Sequence, residues 1–563
     1  MASGFDENEP LFSDHDPNYR DTHINSGVPP PRLHELPRHS ANANRRYAPS
    51  HPQQQQQQHQ YQQPIQRQQP IQRQQPIQRQ PQMRQVSAGN QIRESLQNCR
   101  LSAAAAAGDT RGCIYRVASA ASRHGNNKGE EPKEATGFIQ DLSSANWLRM
   151  ASDRDDPRGR QANSRLCDIG LVQEVDRLKS TLSRQVAPGA FDAARCQTNM
   201  YAGLLSLPSG SRFVSASAVA LGHLDFLVPV VAMYLDRDGG SLSSPPFRFA
   251  DLGSERGGCA EYVLWRAATS KGRAAHTLSG GDDAFSVHGW YFDTNSHRGP
   301  QETTPTADAG SGLSLGDMRV QCDAANRLTV VAQADASTTG GGSGITSEAN
   351  IDAFVRQVQT EASRSPGGSQ AAGIDLVVGE ACYSQDDLAM DHEKGQYTFT
   401  LAQTIIALQL LRPGGSFVFK LFDITTPPTA EMLFVLSACF ESVDIVRSLV
   451  SRPTSSERFV VCRGLTAIDT QWAALHMRTA LNRINSGNFK LSHILSWTKV
   501  MDDHRFIGSL RDANTEIAHA QLAMLKGVAE ITLGHKQVAD KSLEQKSAAT
   551  RCLDEWGLLR FKK

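Results

Sequence analysis

From Phe247 onward the chain alternates short apolar β runs with stretches of helical periodicity, and this alternation constrains the fold more than any other feature. Phe247-Arg-Phe-Ala-Asp-Leu-Gly-Ser is a strand that runs into a glycine loop, and Glu261 to Ala268 follows as a helix. Further β runs are predicted at Ala275 to Leu278, Leu328 to Ala332, Asp375 to Val378 and Phe417 to Phe422. Helical patterns fall between them at Ile351 to Thr360, Thr398 to Leu411 and Thr429 to Phe440. Parallel strands need crossover connections, and those crossovers cover both faces of the sheet. The last two β runs, Val443 to Val450 and Phe459 to Cys462, have no helix between them and are expected to form an antiparallel pair at one sheet edge. The fold class is therefore α/β, mostly parallel with an antiparallel edge pair, plus helical N- and C-terminal extensions.

The organisation outside this core follows from composition. Residues 1–135 hold six consecutive glutamines from Gln53, then P-I-Q-R-Q-Q at Pro64 and Pro70 with a truncated copy at Pro76. Such text cannot bury enough apolar surface to offset chain entropy, so a disordered Gln/Pro-rich tail is expected. Arginines between Arg67 and Arg100, with Glu94 as the one acid among them, allow a transient contact with RNA or an acidic partner. Residues 136–245 read as a helical region before the core, 246–466 as the core, 467–532 as a helical extension and 533–563 as a polar tail.

Lys+Arg and Asp+Glu both number 58 among 563 residues, which argues against whole-surface attraction to nucleic acid and leaves room for a local basic groove. No run approaches the ~20 apolar residues of a membrane span, and the acidic start MASGFDENEPLF is unlike a secretory signal. A soluble intracellular protein with no membrane association is expected. The ten cysteines lack a C-x-x-C pair or zinc-ligand spacing, so free thiols and no metal are expected.

Asp251-Leu-Gly253-Ser254-Glu255-Arg256-Gly257-Gly258-Cys259 joins the first strand to the first helix. Glycines there let the backbone turn tightly and approach a ligand at the carboxyl end of the strand. The loop matches neither G-x-x-x-x-G-K-[ST] nor G-x-G-x-x-G.

DLGSERGGCAEYVLWR, from Asp251 to Arg266, resembles the S-adenosylmethionine loop of the FtsJ-like 2′-O-ribose methyltransferases. Within them it resembles the eukaryotic cap-specific mRNA nucleoside-2′-O-methyltransferase 1 group, the Adrift type. The resemblance continues in Gly373 to Glu380, in GGSFVFKLFD from Gly414 to Asp423, in SRPTSSERFVVC from Ser451 to Cys462, and in the helical stretch 502–531. It covers residues 179–531. It implies a Rossmann-like class I methyltransferase sheet, S-adenosylmethionine as methyl donor, no metal, and methylation of the first transcribed nucleotide of capped mRNA, from cap0 to cap1. It further implies a nuclear location, and capping or transcription machinery as partners of the N-terminal region.

Methylating a ribose 2′-OH requires in-line placement of the hydroxyl and help in removing its proton. The resemblance assigns Lys420, Glu380 and Glu457 to catalysis. It places the donor on Asp251, Gly253, Ser254, Glu255, Arg256, Gly257, Gly258, Cys259 and Asp282, and the capped RNA end on Lys179, Arg195, Asn199, Tyr201 and Ser455. Read as single residues, Lys179, Arg195, Asn199 and Tyr201 fit plain surface equally well, and Asp282 with Asp283 fits a solvated loop. Three departures stand out. The family's first lysine aligns with Ala220, its aspartate is Glu380, and a proline before the Gly-Gly pair is Arg256. One lysine with two carboxylates should have a raised pKa, whereas a proton acceptor needs the opposite shift. His223, three residues after Ala220, supplies either a replacement base or positive charge, or is an exposed or capping histidine. The alternative function is therefore a catalytically weak or inactive homologue that binds capped RNA and S-adenosylmethionine.

Overall fold

The computed structural model describes residues 112–117, 164–205, 213–235, 246–269, 286–293, 326–331, 333, 344–364, 373–383, 386–389, 392–466, 470–487, 494–535 and 540–559. Eight strands form one sheet: β1 Cys113–Val117, β2 Phe247–Leu252, β3 Val287–Phe292, β4 Asn326–Val331, β5 Ile374–Gly379, β6 Leu411–Leu421, β7 Phe440–Arg447 and β8 Arg458–Leu465. Their order is β1-β7-β8-β6-β5-β2-β3-β4. Strands β4, β3, β2, β5 and β6 run parallel, while β8, β7 and β1 pair antiparallel.

Before the sheet lie α1 Ile169–Gln185, α2 Pro188–Thr198, α3 Ala202–Leu205, α4 Ala216–Leu227 and α5 Ala232–Leu235. Within it are α6 Gly258–Thr269, α7 Glu348–Arg364, α8 His392–Leu410 and α9 Pro427–Cys439. After it come α10 Gln471–Asn485, α11 Trp497–Asp502, α12 His504–Thr532 and α13 Ser542–Glu555. No described helix is long and apolar enough to cross a membrane.

Strand periodicity divides the core into two layers. Ala250, Leu252, Trp290, Phe292, Phe417 and Phe419 pack beneath α7 to α12. Phe247, Phe249, Tyr291, Val418 and Val461 pack on the other face against α4, α6 and α13. Fully buried strands flanked by helices on both faces are the expected result of near-continuous apolar runs such as IDLVVG in β5. The chain leaves β2 toward β3 and β4 on one side, then returns to add β5 and β6 on the other. The carboxyl ends of β2 and β5 therefore meet at the reversal of strand order, where a crevice opens.

Several expectations change. Residues 113–117, expected within the disordered tail, form an antiparallel edge strand, and the Arg116 guanidinium reaches the buried Asp444 carboxylate at 2.9 Å. The second parallel strand is Val287–Phe292, whereas Ala275 to Leu278 lies outside the described residues. Gly289 in that strand lies against the Phe249 ring, where a Cβ would come within 2.2 Å. The polar tail contains α13, whose Cys552 is fully buried. The first part of the helical region expected over 136–245, residues 136–163, also lies outside the described residues.

Candidate active site

The crevice at the strand ends is a pocket of about 540 Å³. Gly253, Ser254 and Glu255 enter it from the end of β2, Glu380 from the end of β5, Lys420 from the penultimate position of β6, and Glu457 from the residue before β8. Because β8 runs antiparallel to β6, with Lys420 opposite Phe459, its start lies at the same edge as the other strands' ends. Sequence-distant side chains thus converge through topology alone.

Lys420 sits between two carboxylates, its Nζ 3.8 Å from Glu380 Oε1 and 3.8 Å from Glu457 Oε2. These are ion pairs beyond hydrogen-bond distance. Burial by itself would lower the Lys420 ammonium, but Glu380 and then Glu457 outweigh it and hold the group above the usual lysine value. Burial pushes Glu457 up, yet Lys420 and Arg452 outweigh that and hold it below the usual carboxylate range. Glu380 Oε2 is buried without a hydrogen-bond partner among the described residues.

The segments that carry these groups are braced from beneath. Glu380 and Ala381 donate their amides to Leu252 O at 3.3 and 3.0 Å, and Gln396 and Gln403 of α8 both donate to Ala381 O. Arg447, at the end of β7, donates to the carbonyls of Glu457, Arg452 and Ser455, and so folds the loop that presents Glu457. Ser455 is fully buried and its Oγ accepts the Glu457 amide at 3.1 Å. It supports Glu457 and does not line the pocket.

The glycine loop divides in the same manner. Asp251 is fully buried: Oδ1 accepts the Ser254 amide at 3.0 Å, while Oδ2 accepts the Ser254 hydroxyl at 2.6 Å and the Ala260 amide at 2.9 Å. Burial pushes its carboxyl up to about 7, against the pull of those hydrogen bonds. Asp251 therefore shapes the loop from below, and Cys259 lies in the core beside it. Gly253 has φ 78°, a backbone state that a Cβ disfavours. Gly258 packs so closely on the start of α4 that a Cβ would meet Ser215 Oγ at 2.0 Å. Arg256 has φ 52°, which proline's ring forbids, so the loop takes a path closed to the proline of the resembling family. Neither Arg256 nor Gly257 lines the pocket.

Of the proposed RNA contacts, Arg195 and Asn199 line the pocket. Tyr201 is buried in the core, and Lys179 lines a separate cavity of about 180 Å³ with Asp423 and Thr426. Ala220 lines the main pocket, but His223 does not: its Nδ1 pairs with Ser448 Oγ at 2.9 Å and its ring stacks on Trp556. The reading of His223 as a replacement base is set aside on that geometry. Asp282 and Asp283 lie outside the described residues and precede β3; Asp293, which follows it, is buried at that strand's carboxyl end. Sequence reasoning passed over Arg452, Tyr383 and Cys382, which also line the pocket. Arg452 stands inside the SRPTSSERFVVC segment, where its charge is the signal that marks it.

The family model described as FtsJ-like methyltransferase matches residues 234–465, the stretch that supplies β2 to β8 and the Lys420 cluster. Over that stretch the chain is similar to the FtsJ-like methyltransferases. Over 408 residues the chain is 26% identical to the cap-specific mRNA (nucleoside-2′-O-)-methyltransferase 1 of Homo sapiens and to that of Ailuropoda melanoleuca, covering 70% of this chain and 42% of each relative. The namesake from Dictyostelium discoideum is 25% identical over 429 residues, covering 75% of this chain and 50% of the relative. The chain thus spans half or less of the length of these relatives. The similarity to them extends beyond the FtsJ-like stretch into residues the family model does not cover.

Proposed function

We propose that this protein is an S-adenosylmethionine-dependent methyltransferase that methylates the ribose 2′-OH of the first transcribed nucleotide of capped mRNA, converting cap0 to cap1 in the nucleus. The observation that carries this reading is one pocket joining the glycine loop after β2 to Lys420 between Glu380 and Glu457. Gly253, Ser254 and Glu255 would hold the donor, since the left-handed Gly253 gives close backbone access and the exposed Glu255 offers negative charge to a cation. When bound, the donor supplies an electrophilic methyl group on a sulfonium. Lys420 Nζ would orient the 2′-oxygen and stabilise the negative charge that develops on it as its proton passes to Glu380 Oε2 and the oxygen takes the methyl group, the carbon–sulfur bond breaking to leave a neutral thioether. The unpartnered Glu380 Oε2 accepts a hydrogen bond from the ribose, and both carboxylates fix the direction of the lysine.

A second reading is favoured by Ala220. With no cation there, Lys420 is the one lysine between two carboxylates and keeps its proton more firmly, which suits a module that binds donor and capped RNA with little turnover. Purified full-length chain with labelled S-adenosylmethionine and cap0 RNA separates the two. Label on the first nucleotide, lost in Lys420→Ala, is expected for the enzyme. Binding of donor and RNA without product, in wild type and in Ala220→Lys with Glu380→Asp, would leave the binding module.

A further inference from the structure

The pocket carries a second charged cluster, built around Asp387. That carboxylate is 1% exposed, yet three groups converge on it. Its Oδ2 accepts Arg195 Nη1 at 2.9 Å and Thr454 Oγ1 at 2.6 Å, and its Oδ1 pairs with Arg452 Nε at 3.2 Å. Both arginines line the pocket. Arg195 also meets Asp192 at 2.8 Å, a carboxylate 59% exposed and so screened by water. Arg452 is held at its backbone as well, where Arg447 Nη2 donates to its carbonyl at 2.8 Å. Gln521 Nε2 from α12 fixes Thr454 through its carbonyl at 2.9 Å.

The two arginines are committed differently. Arg195 has both terminal nitrogens on carboxylates. Arg452 is ion-paired to Asp387, its Nε 3.2 Å from an Oδ1 that makes no hydrogen bond, and among the described residues its guanidinium has no hydrogen-bond partner. A guanidinium at the wall of a pocket, ion-paired to one buried carboxylate and with its hydrogen-bond donors unspent, matches two oxygens of one phosphate. A buried carboxylate that sets the fork's direction also lowers the entropy lost when a ligand is grasped.

We propose that Arg452 is the phosphate-binding fork of this pocket, that Asp387 is the residue that positions it, and that the ligand is a phosphate group of an RNA strand. This rests on the reading of the pocket as an RNA site and deepens it. The fork is independent of turnover, because binding alone reveals it.

The test measures anisotropy of a fluorescent capped RNA oligonucleotide on the full chain across a salt series. Arg452→Ala should weaken binding about tenfold and reduce the slope of log affinity against log salt by about one. Arg452→Lys should restore the slope but only part of the affinity, since lysine is a point charge. Asp387→Asn should weaken binding while adenosine, which lacks phosphate, competes as before. Thr454→Val, which removes one hydrogen bond to Asp387, provides a milder second variant, and retained donor binding with an unchanged melting temperature shows that each variant is folded. If RNA with a 5′-hydroxyl shows the same dependence on Arg452, the phosphate is a backbone phosphodiester; if only capped RNA does, it belongs to the 5′ bridge. Wild-type affinity and slope in Arg452→Ala would overturn the proposal, as would a loss confined to kcat at constant KM, which would assign Arg452 to Glu457 alone. Should wild type transfer no methyl group while Arg452→Ala still loses affinity, the fork stands and the methyltransferase reading fails.

Discussion

At Lys420 one ammonium stands 3.8 Å from each of two carboxylates, and its chemistry is set by that count of charges. If the neutral amine is the working form, single-turnover methyl transfer should rise tenfold per pH unit through neutrality without a plateau, because the raised pKa keeps that form scarce. Ala220→Lys adds a cation beside the pocket, disfavours the ammonium, and should shift the rising limb to lower pH with a faster rate at neutrality. A flat profile would instead assign the work to the ammonium. Asp251 yields a stability prediction of definite sign. Its carboxyl is held up to about 7 in the folded chain against an ordinary 3.8, so between those values the unfolded chain binds fewer protons. Stability should therefore fall as pH rises through that window and level off above it. Asp251→Asn should flatten that segment of the denaturation midpoint against pH. At this scale the sequence disclosed which side chains carry charge, and it pointed to Lys420, Glu380 and Glu457. It did not separate pocket residues from their supports: Asp251 and Ser455 read as ligand contacts, and the structure turns both inward.

Among the elements, α13 shows how a helix with few apolar residues can be essential to a site. Its buried side chains are only Ala548, Ala549 and Cys552, too narrow a stripe to stand out from polar text. Yet Gln545 Nε2 donates to Cys196 O at 2.7 Å and Asn199 O at 2.9 Å, both carbonyls of pocket residues. Trp556 follows the helix and stacks on His223 with ring centroids 4.0 Å apart. Trp556→Ala should cost about 3 kcal/mol in denaturant melts, the usual price of removing a buried aromatic. Ending the chain at residue 539 should raise KM for RNA more than KM for the donor, because the wall carrying Arg195 and Asn199 loses its backing while the glycine loop keeps its own. Equal rises would show that α13 serves overall stability alone. Strand β3 escaped sequence reasoning for a related reason. A glycine inside VHGWYF weakens the strand signal, but that glycine is what lets β3 lie against the Phe249 ring.

Across the whole molecule, the short strand β1 closes the sheet. It pairs with β7 from Cys113↔Arg447 to Val117↔Val443, and Arg116 covers the buried Asp444. A chain beginning at Gly112 should keep the full-length denaturation midpoint. One beginning at Ala118 exposes the β7 edge and leaves Asp444 with Arg463 at 3.6 Å, so its midpoint should drop and light scattering should report self-association. Equal midpoints and equal scattering would show that β7 tolerates a bare edge. By itself the sequence determined the mostly parallel sheet, the antiparallel return and the order of its blocks, because strand and helix periodicities are local and each apolar run must be covered on both faces. Only the tertiary structure decided which charged groups share a pocket. The distance between Lys420 and Glu457, the partners of Asp387 and the burial of His223 depend on strand order and on packing between segments far apart in the chain, and no local pattern of residues carries that information.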